Sequence, residues 1–321
     1  MTVTSPASAP ALEASVADPA VGHIPVSNQP VGGAPGPEMV EEASTGSGGD
    51  IVEAESEVEP VVVAAAEESV AAQPWTPPTS DKLSDVAVAS FGVPPDWAET
   101  VHGPDDRVQI DNTAAYPWRV HASLLIVARD NSTWIGTAWF IGPHTLVTAG
   151  HCVYIKSDVP GREGWVKSID VMPGRNATIL PYGSVKSTNF RSVQGWATNG
   201  DQNYDYGAII IPSELGNQTG WFGFGVYGDD DLRATVGNIS GYPGDKPQGT
   251  EWYDRRTVAS VDPRKVYYDI DTMGGQSGAA VYRIKDGKRI AIAIHAYGGA
   301  TTNSGTRIIA PVYNNLAAWK V

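Results

Sequence analysis

From Trp97 to the C-terminus the apolar positions come in short bursts rich in Val, Ile, Thr, Tyr and Trp, and Gly, Pro, Asn and Asp separate them. That is the pattern of short strands joined by tight turns. It predicts strands at 119–128, 134–141, 144–149, 165–172, 182–188, 206–211, 234–240, 250–260, 265–270, 278–284, 289–297 and 307–313. About twelve short strands in roughly 215 residues indicate an all-β barrel or sandwich rather than alternating βα units. Helical spacing is nearly absent. Only the tail from Tyr313 to Val321 (YNNLAAWKV) reads as a closing helix, with Asn314 or Asn315 as its N-cap.

Before about Pro95 this pattern is lost. The chain there is Ala, Pro, Val, Glu, Ser and Gly with few aromatics. Such a segment buries too little apolar area to offset its ordering entropy, so disorder is expected. A helix within Val61 to Ala72 would be marginal alone.

Charge divides at the same place. Residues 1–103 hold sixteen Asp or Glu against the single Lys82, while residues 104–321 hold twenty-one basic and twenty acidic residues. The net charge of −14 therefore belongs to the N-terminal third. The β-rich part has no basic stripe for phosphates, which argues against nucleic-acid binding. Runs such as Val61 to Ala66 and Ala208 to Ile211 fall far short of the roughly 20 apolar residues of a spanning helix, so membrane insertion is not expected. The first twenty residues carry no Lys, Arg or apolar run, so no signal peptide is recognised. The only cysteine, Cys152, cannot form an internal disulfide.

Three positions carry candidate chemistry. His151 sits in LVTAGHCV, where an apolar strand meets a Gly turn; His23, His102, His121 and His144 have no such setting. Ser277 sits in DTMGGQSGAAVY, where glycines let the backbone turn sharply and expose the N–H groups of Gly275 and Ser277 as an oxyanion hole. Asp205 precedes an apolar strand in NYDYGAIII. Each has a plain alternative: a strand-end histidine, a Gly-rich hairpin, a turn aspartate. Together, in the order His, Asp, Ser, they match one known catalytic arrangement and differ from two others.

The motifs TAGHC and GGQSG resemble the trypsin-type peptidases, and the likeness to the bacterial glutamyl endopeptidases is closer. It runs from about Asp105 to the C-terminus through DDRVQIDNTAAYPWR, WFIGPHTLVTAGHCVY, YGSVKST, NYDYGAI, ISGYPGDKPQGTEW, DTMGGQSGAAVY and SGTRI. The resemblance implies two six-stranded antiparallel β-barrels of chymotrypsin type, with a short C-terminal helix and the catalytic groups in the cleft between them. It implies a monomeric serine endopeptidase acting on proteins or peptides after Glu, and less well after Asp, without a cofactor or metal. Thr272 and His295 match its substrate-carboxylate pocket, with Gly298 beside them. The family also implies an extracellular enzyme.

Relatives with a cysteine after the catalytic histidine pair it with one on the preceding strand, and here that place is Gly136, so Cys152 is expected to be a free, buried thiol. Mature relatives begin just ahead of the segment resembling DDRVQIDNT. Cleavage at Glu99–Thr100 is therefore expected, dividing a disordered acidic propeptide (1–99) from the protease domain (100–321) of a zymogen. The run Asp229, Asp230 and Asp231 reads as a solvated acidic turn rather than a calcium site. Two other readings stay open: a serine peptidase of different preference, and a catalytically silent barrel whose acidic arm binds a partner protein.

Overall fold

Alternating side chains give each strand one face for a barrel interior and one for its surroundings, and the chain uses that alternation twice. The computed structural model describes residues 19–29, 52–54, 73–74, 76, 82–91, 101–299 and 301–321. The first barrel contains β1 (Pro25–Ser27), β2 (His121–Val127), β3 (Thr133–Phe140), β4 (Thr145–Thr148), β5 (Ser168–Pro173), β6 (Val185–Ser187), β7 (Asn189–Val193) and β8 (Gly207–Ile210). Its strands lie in the order β1–β7–β8–β4–β3–β2–β5–β6, every pair antiparallel. The second contains β9 (Gly223–Val226), β10 (Val236–Gly241), β11 (Trp252–Thr257), β12 (Lys265–Tyr268), β13 (Ala280–Lys285), β14 (Lys288–Tyr297) and β15 (Asn303–Arg307). Its main path is β12–β15–β14–β13–β10–β11, antiparallel throughout, with β9 parallel to β14. The fold is the expected chymotrypsin-like pair of barrels.

Leu124, Ile126, Trp139, Phe140, Val147, Phe190 and Ile209 are fully buried in the first barrel, and Ile239, Val266, Tyr268 and Val281 in the second. A buried polar joint links the two. Glu251 Oε1 accepts from Ser240 Oγ (2.5 Å) and lies 3.2 Å from His121 Nδ1, at the start of β2.

The predicted strand at 307–313 is displaced. The strand is β15, NSGTR, which is wholly buried yet almost wholly polar, so no hydrophobic pattern announces it. Its polar groups are satisfied internally: Asn303 Nδ2 donates to Ile270 O (2.8 Å) and Thr306 Oγ1 to Asp205 O (3.1 Å). The closing helix begins earlier than expected. It spans Ala310–Trp319, with Ile309 at the N-cap and Pro311 in its first turn, where a fixed φ and a missing N–H cost nothing. Neither Asn314 nor Asn315 caps it. Asn315 lies inside the helix, and its Nδ2 donates to His23 O and Tyr206 Oη, both at 2.8 Å.

Four short pieces of the acidic N-terminal segment sit against the barrels, a docking that composition does not signal; Val52–Ala54 pairs with β9 and Gln73–Pro74 with Ile179–Leu180. Residues 19–29 lay β1 along the edge of β7, pairing Pro25 with Val193 and Ser27 with Arg191. Residues 82–91 reach the cleft and end in helix α1 (Val86–Phe91), with Val86 and Ala89 buried.

Candidate active site

Strand register brings His151 and Asp205 together. β4 and β8 are neighbours with Gly207 opposite Thr148, so the residues that follow β4 and precede β8 meet at one end of the sheet. After β4 the chain turns through Ala149 into a single helical turn, α2 (Gly150–Val153), which carries His151. Before β8 a 3₁₀ turn, Gln202–Tyr204, capped by the Asp201 side chain, delivers Asp205.

Both side chains are fully buried. Asp205 Oδ1 accepts from the backbone N–H of His151 (2.8 Å), and Oδ2 accepts from His151 Nδ1 (2.7 Å) and from the Tyr297 hydroxyl. The carboxylate thus holds a proton on Nδ1 and leaves Nε2 as the acceptor. Nε2 is buried and has no hydrogen-bond partner among the described residues. Burial alone would lower the imidazole pKa, but the Asp205 charge outweighs it and holds it well above the ordinary value of 6.5.

Ser277 lies on a loop that only glycine permits. Gly275 has φ +109°, and a Cβ there would lie 2.5 Å from Tyr242 O; Gly278 has φ +91°, and a Cβ would lie 2.1 Å from Thr148 Oγ1. The loop is tied to both barrels. Thr137 N donates to Ser277 O at 2.9 Å from β3, and Gly278 N donates to His295 O at 2.7 Å on β14. Cys152 Sγ, one residue after His151, donates to Ser277 O at 3.6 Å. The serine hydroxyl itself does not reach His151 Nε2. It donates instead to Asp85 Oδ2 (3.1 Å), from the N-terminal segment.

The candidate pocket residues lie beside this loop. His295 is buried on β14, with its backbone N–H on Ala279 O (2.9 Å) and its Nδ1 2.6 Å from Tyr268 Oη on β12. Thr272 is buried just before the loop, and its Oγ1 has no hydrogen-bond partner among the described residues. Gly298 follows β14 and is partly exposed. Asp271, next to Thr272, accepts from His102 N (2.7 Å) and Asp106 N (3.0 Å). Glu99 and Thr100 lie outside the described residues.

Cys152 is a free, buried cysteine, and burial pushes its thiol pKa up. A Cβ built on Gly136 would lie 3.3 Å from its Sγ, so the two positions face each other as expected. Asp229, Asp230 and Asp231 open a short helix, where Asp229 pairs with Arg307 (2.8 Å) and Arg233 (3.2 Å). Among the described residues no group of three or more His, Cys, Asp or Glu side chains is placed to hold a metal ion.

Sequence reasoning did not single out Asp85, Phe91, Tyr268 or Tyr297. Tyr297 had a faint signal, standing two residues after His295, but a β-bulge between them decides where it points.

No protein-family profile matches the chain. A glutamyl endopeptidase of Bacillus licheniformis is 42% identical over 230 residues, covering 69% of this chain and 69% of that protein. A Bacillus subtilis protein named extracellular metalloprotease is 39% identical over 222 residues, covering 68% of this chain and 69% of that protein. The solved structure of a Glu endopeptidase in complex with MPD is 28% identical, with a TM-score of 0.58 over 68% of this chain and 99% of that one. The barrels and the identity over more than two thirds of these relatives lead to one conclusion: the chain belongs to the glutamyl endopeptidase family.

Proposed function

We propose that the chain is a serine endopeptidase cutting on the C-terminal side of Glu, and less well Asp, with Ser277 as nucleophile, His151 as general base and acid, and Asp205 as its orienting carboxylate. The observation that carries this reading is the buried Asp205–His151 pair, which fixes one tautomer and leaves Nε2 uncommitted. As the Ser277 Oγ–carbon bond forms, the hydroxyl proton passes to Nε2. The developing oxyanion is met by the N–H groups of Gly275 and Ser277. Collapse expels the amine, which takes the proton from Nε2. Water then attacks the acyl-enzyme with the same base and frees the new carboxyl end.

The selectivity for Glu is assigned to Thr272 and His295, with Gly298 at the margin of the pocket. An accepting Nδ1 on Tyr268 would put the His295 proton on Nε2, the form that donates to a substrate carboxylate, and Thr272 Oγ1 is a buried hydroxyl with no hydrogen-bond partner among the described residues. A charge-assisted bond of this kind is worth roughly 10- to 150-fold in preference.

Residues 1–99 are read as a propeptide and 100–321 as the protease domain of a secreted monomeric enzyme, parted at Glu99–Thr100 by the enzyme itself or by a relative. The hold of Asp271 on His102 and Asp106 supports this, because it keeps the chain just after that bond beside Thr272. Incubation with a peptide library, with the cut bonds and the enzyme's own N-terminus mapped by mass spectrometry, tests the whole reading. Cuts after Glu and a new Thr100 end are expected. Ser277→Ala should abolish cleavage and leave the fold intact, and His295→Ala should lower the Glu preference specifically. Unchanged turnover in Ser277→Ala would end the serine-hydrolase reading.

A further inference from the structure

The chain's own residues 83–91 lie in the catalytic cleft, against Ser277 and His151. Leu83 and Asp85 are buried, as are Val86 and Ala89 of α1, although they come from the acidic, low-complexity third of the sequence. Ser84 O accepts from Ile135 N on β3 (3.0 Å), and Asp85 forms a parallel bridge with Ile135. Asp85 then places its carboxylate on the nucleophile, taking the Ser277 Oγ–H bond at 3.1 Å. Six residues on, the Phe91 ring lies 5.8 Å from the His151 ring, edge-on, and 5.9 and 5.6 Å from the rings of Trp196 and Tyr297. One segment thus engages the serine and the histidine together.

It is not seated as a substrate. Acyl transfer needs a carbonyl carbon about 3–3.5 Å from the attacking oxygen. Here a side-chain carboxylate oxygen holds that place, and the backbone after Asp85 coils directly into α1, with Val88 N on Asp85 O at 3.1 Å. The carboxylate takes the hydroxyl proton's direction away from His151 Nε2.

We propose that the cleft is the docking surface for this chain's own Leu83–Phe91 segment, which acts as a tethered inhibitor and still binds in trans once the chain is cut. The inference rests on the serine-endopeptidase reading above. A cut at Glu99–Thr100 would remove none of these contacts. It would only replace a tethered ligand, at an effective concentration on the order of millimolar, by a free one that dilution can remove. Full activity therefore needs loss of the segment as well as cleavage.

The test is the rate at which a fluorophosphonate probe labels the serine in the full chain, with intact mass confirming that no residue has been trimmed. Wild type should label slowly. Asp85→Ala and Phe91→Ala should each label at least about tenfold faster, the Asp85 change by loss of a charge-assisted bond. A synthetic peptide covering 82–92 should slow labelling of the proteolytically trimmed chain, and the same peptide with Asp85→Ala should not; this arm stands even if a full-chain variant fails to fold. If both full-chain variants label as slowly as wild type while the trimmed chain labels fast, or the peptide has no effect, the inhibitor assignment is overturned. If no form labels, the hydrolase reading fails and this proposal with it.

Discussion

The anchor of the N-terminal segment on the first barrel should weaken as pH falls below 7, and His23 is the reason. This histidine is buried between β7, the β8 approach and the C-terminal helix. Nδ1 lies 2.9 Å from Tyr206 Oη, Nε2 lies 3.2 Å from Arg264 Nη1, its ring centroid is 4.7 Å from that of Tyr204, and its carbonyl accepts from Asn315. A guanidinium can only donate, so Nε2 accepts and the docked ring is neutral. Burial, and then the charge of Arg264, lowers its pKa from 6.5 to about 4. In the undocked segment the ring keeps its ordinary value.

The sign follows by linkage. Docking is fully supported above pH 6.5, where both states are neutral, and loses support as pH falls toward 4, because only the undocked ring takes up a proton. The whole shift corresponds to roughly 3 kcal/mol, of which about 2 kcal/mol is lost by about pH 5, a roughly 30-fold rise in the open population. Hydrogen exchange of 19–29 in full-length Ser277→Ala, which cannot trim itself, reads that population once intrinsic rates are normalised. His23→Gln should keep exchange nearly flat between about pH 7 and pH 5. A wild-type profile as flat as that of His23→Gln would refute the argument.

Three further outcomes are expected. Gly136→Cys should cross-link to Cys152, since the built Cβ lies 3.3 Å from its Sγ and only Ile126 Cδ1, at 3.2 Å, must give way. Closing a loop of this length is worth about 3 kcal/mol, or about 5–10 °C in Tm, reversible by reductant, and two free thiols by Ellman titration would contradict it. Tyr268→Phe should raise KM for Glu substrates about tenfold with a smaller change in kcat, because it removes the 2.6 Å partner of His295 Nδ1; an unchanged Glu preference would sever that link. Asp205→Asn should lower kcat roughly 10⁴-fold by releasing the tautomer, and should move the acid limb of the pH–activity curve downward, since Asp205 is what raises the His151 pKa.

What the sequence made legible follows a physical division. His151, Asp205 and Ser277 stand at strand ends, where an apolar run, a turn residue and flanking glycines coincide within ten residues, and the β4–β8 register then joins the first two. Their partners have no such local mark. Tyr268 and Tyr297 are ordinary strand aromatics until pairing across β12, β15 and β14 sets one on His295 and the other on Asp205. β15 escaped notice because its polar side chains bond to groups far away in sequence, so burial left no apolar trace.

The N-terminal third shows the same division most sharply. Composition tells whether a segment can build a core of its own, and this one lacks the apolar residues for it. It does not tell whether a few residues can complete a core that already exists. Leu83, Val86 and Ala89 stand three apart, one turn and a half of apolar spacing, too short to read as a helix and sufficient once the two barrels supply the other wall. His23 is the same case, a lone polar residue made specific by Tyr206, Arg264 and Asn315. A segment held this way owes its order to the folded domain, so the contacts that seat Asp85 on Ser277 end when it leaves.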